Sequence, residues 1–297
     1  MLKNFREDNA IPLMNEEVEI VINWGMKRIV YGLFLLLISC KTPKIGVAYS
    51  GGPNRIGGIQ LYRQMAAMNW RQRDSAVLSQ FAIGNIPGFY KKFIPIQMKY
   101  VDSLTGKTHQ ATVYVATDYF SIGTDQDWAR VNITPASAEK IADSLQCFLP
   151  TVKLVDEIYK QAKIKLEPIP MYAFRDSTPT MYQHHLIIEG QRKGRKGLIA
   201  GIKKDLVITD KLLDSAKQNK VAIYGWHLLS GKPIQPLYTG HVYWWVDYSQ
   251  GVRLISKRMK VDGKWMQMEE VMMNPSLRGL LTNESSPLML KYPTVGF

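Results

Sequence analysis

The sequence predicts an α+β fold, with helices packed on a mostly antiparallel sheet and a β-meander near the C-terminus. Three observations lead there. Apolar residues recur at helical spacing mainly in the first two thirds of the chain. Residues 221–256 instead carry β-branched and aromatic runs between the turn-forming pairs Ser230-Gly231, Thr239-Gly240 and Gln250-Gly251. Helices and strands do not alternate as they do in a doubly wound parallel sheet.

The elements follow in order. Ile59, Tyr62, Met65, Ala66 and Trp70 share a helical stripe, which predicts a helix over residues 59–80. Residues 96–102 and 110–116 flank the polar turn Ser103-Leu104-Thr105-Gly106-Lys107. Pro95 suits a strand start, so the two runs form a hairpin. Further strands are expected at 118–122 and 129–133. Thr134 is a natural N-cap with Pro135 at the first helical position, opening a helix to about Leu145. Val152, Val155, Ile158 and Tyr159 form the stripe of a second helix, expected from Pro150 to about Ala162. A third covers 180–191 and leads into Gln191-Arg192-Lys193-Gly194-Arg195-Lys196, a solvated loop or a contact for phosphate or wall polymer. A strand at 204–209, a short helix at 211–218, the meander and a hairpin turn at Asp262-Gly263 complete the domain. The tail from Asn274 is irregular.

Composition sets the setting. The chain has 297 residues, 46% hydrophobic and 21% charged, enough for one sizeable core. Its net charge is +13. Residues 1–40 hold 4 basic and 5 acidic residues, so the remainder carries 34 and 20, a net of +14. A basic body suits a polyanionic neighbour or simply a high pI. No nucleic-acid recognition signature accompanies it, so nucleic acid is not the expected partner.

The N-terminus is the most informative stretch. Met26-Lys27-Arg28 precedes an apolar run over residues 29–38, then Ser39-Cys40. A basic start, a short apolar run and a small residue before a processing point make a secretory signal. The run is well short of the roughly 18–20 residues that span a bilayer. Leu37-Ile38-Ser39-Cys40 resembles the bacterial lipobox, which implies lipidation at Cys40 and anchoring to a membrane. Residues 1–25 then form an upstream extension, 26–39 the signal peptide, 40–58 a Gly/Pro/Lys-rich tether and 59–297 a single domain. Lys41 leaves the inner-membrane retention aspartate absent, which points to an outer membrane or cell surface.

Candidate chemistry concentrates in and around the meander. No nucleotide fingerprint is present: Gly51-Gly52 and Gly57-Gly58 lack the lysine of a phosphate loop and its strand–turn–helix context. No cofactor is expected. His227, His241 and Asp247 invite a metal, but in a regular meander His241 and Asp247 stand roughly 20 Å apart on one face. His184 and His185 point about 100° apart on a helix. No metal site is therefore expected. Cys147 precedes a helix start, where the dipole lowers a thiol pKa, and His241 could act as its base, with His227 the second imidazole of the stretch. The alternative is a core thiol. Aromatic platforms at Tyr243, Trp244, Trp245 and Tyr248 could instead bind sugar rings or peptide, with Lys203, Lys204 and Arg253 supplying charge.

Cysteine near a helix start followed by histidine in an antiparallel sheet resembles, in topology, the NlpC-type papain-like peptidases, although Gln146-Cys147-Phe148 lacks their nucleophile motif. A second resemblance rests on Ala142-Asp143, Cys147-Phe148-Leu149-Pro150-Thr151, Val155-Asp156, Lys203-Lys204-Asp205, Tyr224-Gly225-Trp226-His227, Pro233-Ile234-Gln235-Pro236 and Asp247-Tyr248-Ser249 with Gly251 and Arg253. These segments look like an uncharacterised family of exported bacterial proteins, over residues 118–297. That pattern places Lys203, Lys204, Asp205, Tyr224, Asp247, Tyr248, Ser249, residue 250 and Arg253 in one binding site. It has histidine at 202 and 250, where this chain has Ile202 and Gln250. Neither replaces imidazole in proton transfer. The expected function is an envelope lipoprotein with a hydrolase-like domain acting on peptidoglycan or another envelope peptide or glycan. The alternatives are a catalytically degenerate copy that binds such a polymer and a structural lipoprotein.

Overall fold

A computed structural model describes residues 54–285 and 288–292. The expected signal peptide, Cys40 and most of the expected tether lie outside the described residues.

Two helices, α1 (Gly58–Gln64) and α2 (Trp70–Ala82), occupy the place of the single helix expected over 59–80. A 3₁₀ turn and Asn69 separate them. Asn69 caps α2 by accepting from the Gln72 amide while the Gln72 side chain accepts in return, so the helix restarts in a new direction. The hairpin β1 (Phe93–Val101) and β2 (Thr108–Ala116) forms as expected, with Ile96 opposite Val113. A small ribbon of β3 (Ser121–Gly123) and β4 (Trp128–Arg130) follows. Thr134 caps α3 (Pro135–Ser144) as its sequence implies.

After β5 (Cys147–Phe148), α4 (Val152–Gln161) begins later than expected. Thr151, not a residue before Pro150, supplies the N-cap oxygen to Leu154. Next come β6 (Ile164–Lys165), the long helix α5 (Thr178–Arg192) capped by Ser177, β7 (Ile199–Ala200) and β8 (Lys204–Leu206). The helix expected at 211–218 is two 3₁₀ turns. The chain ends through β9 (Ile223–His227), β10 (Pro233–Tyr238), β11 (Gln250–Gly251), β12 (Ile255–Ser256), β13 (Arg258–Val261), β14 (Lys264–Gln267) and α6 (Met268–Met273).

The α+β class holds. One sheet runs β14-β13-β2-β12-β5 with β1 on β2, and a second runs β10-β9-β8-β11. A single large hydrophobic cluster joins them, from Leu61 and Val113 to Leu254 and Leu281. A satellite of Tyr119, Ile164, Leu166, Ile188, Ile199 and Ile202 fills the space beside α5.

The meander is the main correction. Its first hairpin exists, with Pro233 opposite His227 and a bulge between Gln235 and Tyr238. Its third strand does not form. Residues 239–249 are loop, and β11 lies parallel to β8, pairing Gln250 with Lys204. The loop backbone finds partners elsewhere. Val221 N donates to His241 O and Tyr243 N to Asn219 O, at 3.1 and 3.0 Å. Three aromatics at 243–245 cannot all face one side of a pleat, and here they fold away from β10 toward α2.

A candidate binding cleft and the sheet behind it

Of the segments that carry the resemblance, those around Lys204, Tyr224, Pro233 and Gly251 meet in the second sheet, while Cys147-Phe148 lies in the first. Lys204 pairs with Gly225 on one side and Gln250 on the other, while Asp205 pairs with Tyr224 and Gly251. A β-carbon on Gly251 would lie 2.6 Å from the Tyr119 ring and 3.0 Å from the Lys203 β-carbon, so only glycine lets the strands close here. Gly225 and Trp226 both take left-handed backbone, φ +105° and +55°, which turns the Trp226 indole to donate to Ile202 O.

Most of these side chains hold the scaffold. Arg253 is fully buried, donates to the carbonyls of Ala116 and Ile199, and stacks 4.1 Å over the Tyr119 ring. Asp205 faces it at 4.0 Å from Nε and takes a weak contact from the Tyr119 hydroxyl, so burial pushes its carboxyl up to about 6. Lys203 donates to Tyr248 O at 2.5 Å, and burial brings its amine down to about 7. Burial also lowers Lys204, whose ammonium lies 4.7 Å from the Trp226 ring. Asp247 accepts from the Ser249 amide and hydroxyl and pairs with Arg175 at 2.7 Å. Tyr248 donates its amide to Arg175 O, and its hydroxyl accepts from the Met171 amide.

A hollow of about 230 Å³ opens against the other side of this loop. Trp70, Arg73 and Asp74 of α2, Asn132, Asp176 and the strip Trp244-Trp245-Val246 line it. Trp244 and Trp245 are 42% and 36% exposed, unusual for tryptophan and enough to meet a ligand. Asn132 forms the floor: its Nδ2 lies 2.8, 3.2 and 2.7 Å from the carbonyls of Asp247, Tyr248 and Gln250. Gln250 donates to Trp245 O, and its Oε1 is buried without a partner among the described residues. Position 250 therefore sits directly behind the cleft. Arg73 donates to Asp176 O at 2.7 Å, tying α2 to the loop before α5. Asp74 is occupied with Thr134 and Ser137, and burial still raises its carboxyl.

The thiol site is not assembled. Cys147 is fully buried on β5, its Sγ donating to Leu145 O, and burial pushes the thiol far above its ordinary value. His241 lies in the loop after β10 and is half-buried. Its ring packs edge-on against Tyr238 at 5.0 Å and 6.2 Å from Trp245. Desolvation lowers its basicity. A buried neutral thiol on a strand of the first sheet cannot serve as nucleophile for this loop imidazole, so Cys147 and His241 do not form the expected catalytic pair.

His227 has a different partner. Its Nε2 lies 3.0 Å from Asp156 Oδ1, which also accepts from the Tyr224 hydroxyl at 2.8 Å. The imidazole stacks on Tyr159 at 4.4 Å. This group lines a second hollow of about 390 Å³ with Lys160 and Lys165. The arrangement fixes the ring and can support proton transfer, but among the described residues no Ser, Cys or Thr side chain is hydrogen-bonded to it. Among the described residues no three His, Cys, Asp or Glu side chains converge as metal ligands, and no helix is long and apolar enough to cross a membrane.

Sequence signals were uneven. Asp156 and Tyr224 belong to the resemblance segments, whereas Asn132, Arg175 and Asp176 carry no motif. Trp70 could have been placed by the Asn69–Gln72 cap, which marks a fresh helix start. A buried ion group was also silent in the sequence: Arg130 clasps Asp118 at 2.8 and 2.6 Å, reaches Glu189 at 2.8 Å and His185 at 3.1 Å.

Comparisons with protein-family models, with curated proteins and with solved structures return no match.

Proposed function

We propose that the chain is a lipid-anchored protein of the bacterial cell envelope whose α+β domain binds a glycan-containing envelope polymer without cleaving it. The observation that carries the reading is the cleft of Trp70, Trp244 and Trp245 with Asn132, Arg73 and Asp176 around it. Flat aromatic faces cover the apolar faces of a sugar ring, and neighbouring amide, guanidinium and carboxylate groups take its hydroxyls. Two further points support binding over hydrolysis. The buried thiol of Cys147 argues against a thiol-dependent route. Gln250 stands behind the cleft where the resembling family has imidazole, which removes a proton carrier. The anchor rests on the lipobox-like Leu37-Ile38-Ser39-Cys40, and Lys41 favours the outer membrane or surface.

Co-sedimentation with purified peptidoglycan tests the reading. Trp244→Ala and Trp245→Ala should each weaken retention by about 2 kcal/mol, roughly 30-fold, as central aromatic anchors do. Unchanged retention in both variants would overturn it. Hydrolysis is the second reading, favoured by the Asp156–His227 pair and the Tyr224 hydroxyl at the other hollow. Release of soluble fragments that stops in His227→Gln, with binding intact, would favour it instead.

A further inference from the structure

A hollow of about 460 Å³ lies next to the aromatic cleft and has a different character. Leu212, Leu213, Met289 and Tyr292 form an apolar floor, and Lys217, Lys220 and Lys291 stand at its edge. Lys291 reaches Asp143, 3.3 Å away. Among the described residues no carboxylate pairs with Lys217 or Lys220, and both are half-buried, which holds their charge over the hollow. The nearby Asp214 turns its carboxylate to the Ala216 amide instead.

The two hollows share one wall. Tyr243 lines the lysine-edged hollow, while its ring packs edge-on against Trp70 at 5.7 Å and Trp244 at 5.0 Å, both of which line the cleft. The backbone beneath is stitched in register. Val221 N donates to His241 O, Tyr243 N donates to Asn219 O, and Lys220 bridges Val242. This ladder carries Lys220 on one segment and Tyr243 on the other, so the spacing of those two is set by main chain, and Lys217 stands three residues upstream at the end of a 3₁₀ turn.

We infer that cleft and hollow are adjacent subsites of one groove, and that its ligand is an anionic glycan: a sugar chain bearing carboxylate or phosphate groups. The inference rests on the glycan-binding reading and adds the charge class of the ligand. The tryptophans take a sugar face, and Lys217 and Lys220 take the anionic substituent one or two rings along the chain. The apolar floor accepts an acyl or lactyl-type group beside that charge. The lysines attract the ligand through a field that salt screens.

One backbone in three forms tests this: a neutral N-acetyl chito-oligosaccharide, its carboxymethyl derivative and its phosphorylated derivative, titrated against the purified full chain in detergent. The charged forms should bind about ten-fold more tightly than the neutral form at low salt, with the preference collapsing at high salt. Lys217→Gln/Lys220→Gln should erase the preference and leave neutral-form affinity unchanged. A preference for only one charged form identifies the anion and supports the inference. Equal affinity for charged and neutral forms, or a preference that survives the double substitution, overturns the inference and leaves the aromatic cleft reading standing. Failure of all three forms to bind overturns both. A single-stranded oligonucleotide that outcompetes every glycan form through the same lysines would also overturn the inference, in favour of a different polyanion.

Discussion

Asn132 donates from Nδ2 to the main-chain carbonyl of Gln250 at 2.7 Å, and that one contact couples the cleft floor to the strand paired with Lys204. The amide holds the Asp247 and Gln250 carbonyls together, so the loop between them has no freedom to flatten into a meander strand. Asn132→Leu leaves buried carbonyls without a donor. It should cost about 1–3 kcal/mol in urea unfolding and blunt glycan binding, whereas a change confined to stability would detach the floor from recognition.

The Arg130 group predicts a steep asymmetry. Arg130 is buried with Asp118 and reaches the half-buried Glu189, and Asp118 stays charged: burial alone would raise it, but Arg130 holds it below its usual range. Arg130→Met strands a buried carboxylate and should destabilise the domain by about 3–5 kcal/mol. Arg192→Met, which removes a partner 4.0 Å from Asp118, should cost less than about 1 kcal/mol. Comparable losses in the two variants would show the charges to be solvated.

His184 predicts the acid limb of the stability curve. It is wholly buried, faces Tyr248 edge-on at 4.9 Å, and neither ring nitrogen meets hydrogen-bond geometry with any described residue; burial brings it down to about 2. The unfolded chain binds a proton near pH 6.5 that the folded chain refuses. Stability is therefore lost as pH falls below about 6.5, by about 1.4 kcal/mol per pH unit for this residue. Glu139 opposes it: burial raises its carboxyl to about 7, so its contribution is present in acid and lost as pH rises toward 7. His184→Leu should flatten the acid limb between pH 6 and 4 by one proton, as read by chemical unfolding across that range.

Cys147 should be inert. In the native chain its peptide should stay unalkylated by a thiol reagent while the unfolded chain reacts fully, read by mass spectrometry of the 147-containing peptide. Cys147→Ala should cost about 1–2 kcal/mol as a small core deletion and leave glycan binding unchanged. Fast native alkylation would reopen a thiol role.

For the anchor, Cys40→Ala should move the protein from the membrane fraction to the soluble one. Persistence with membranes would sink the lipoprotein proposal.

Local rules carried the hairpin of β1 and β2 and the Thr134 cap, because turn chemistry and capping act within a few residues. They failed at 239–249, where alternation predicts a strand but the decisive partners are Asn132 and Arg175, over seventy positions away for each. The site followed the same divide. The resemblance segments marked the sheet, yet Lys203, Asp205 and Arg253 are internal fastenings, and the candidate cleft is built from aromatics packed against a helix far upstream. Distance in sequence hid Trp70 from Trp244. Burial, which the residue letter does not state, separated Cys147 from chemistry.

Gly251 and Gln250 are neighbours on one two-residue strand, and substitution should treat them oppositely. Any side chain at 251 must displace Tyr119, the ring on which Arg253 rests, so the whole molecule answers for it. At 250 the side chain ends behind the cleft with its carbonyl oxygen unengaged. A saturation library should then show one position closed to every replacement and, beside it, one open to changes of ligand preference. A histidine placed there, Gln250→His, would set an imidazole behind the cleft while leaving the packing of Gly251 on Tyr119 in place.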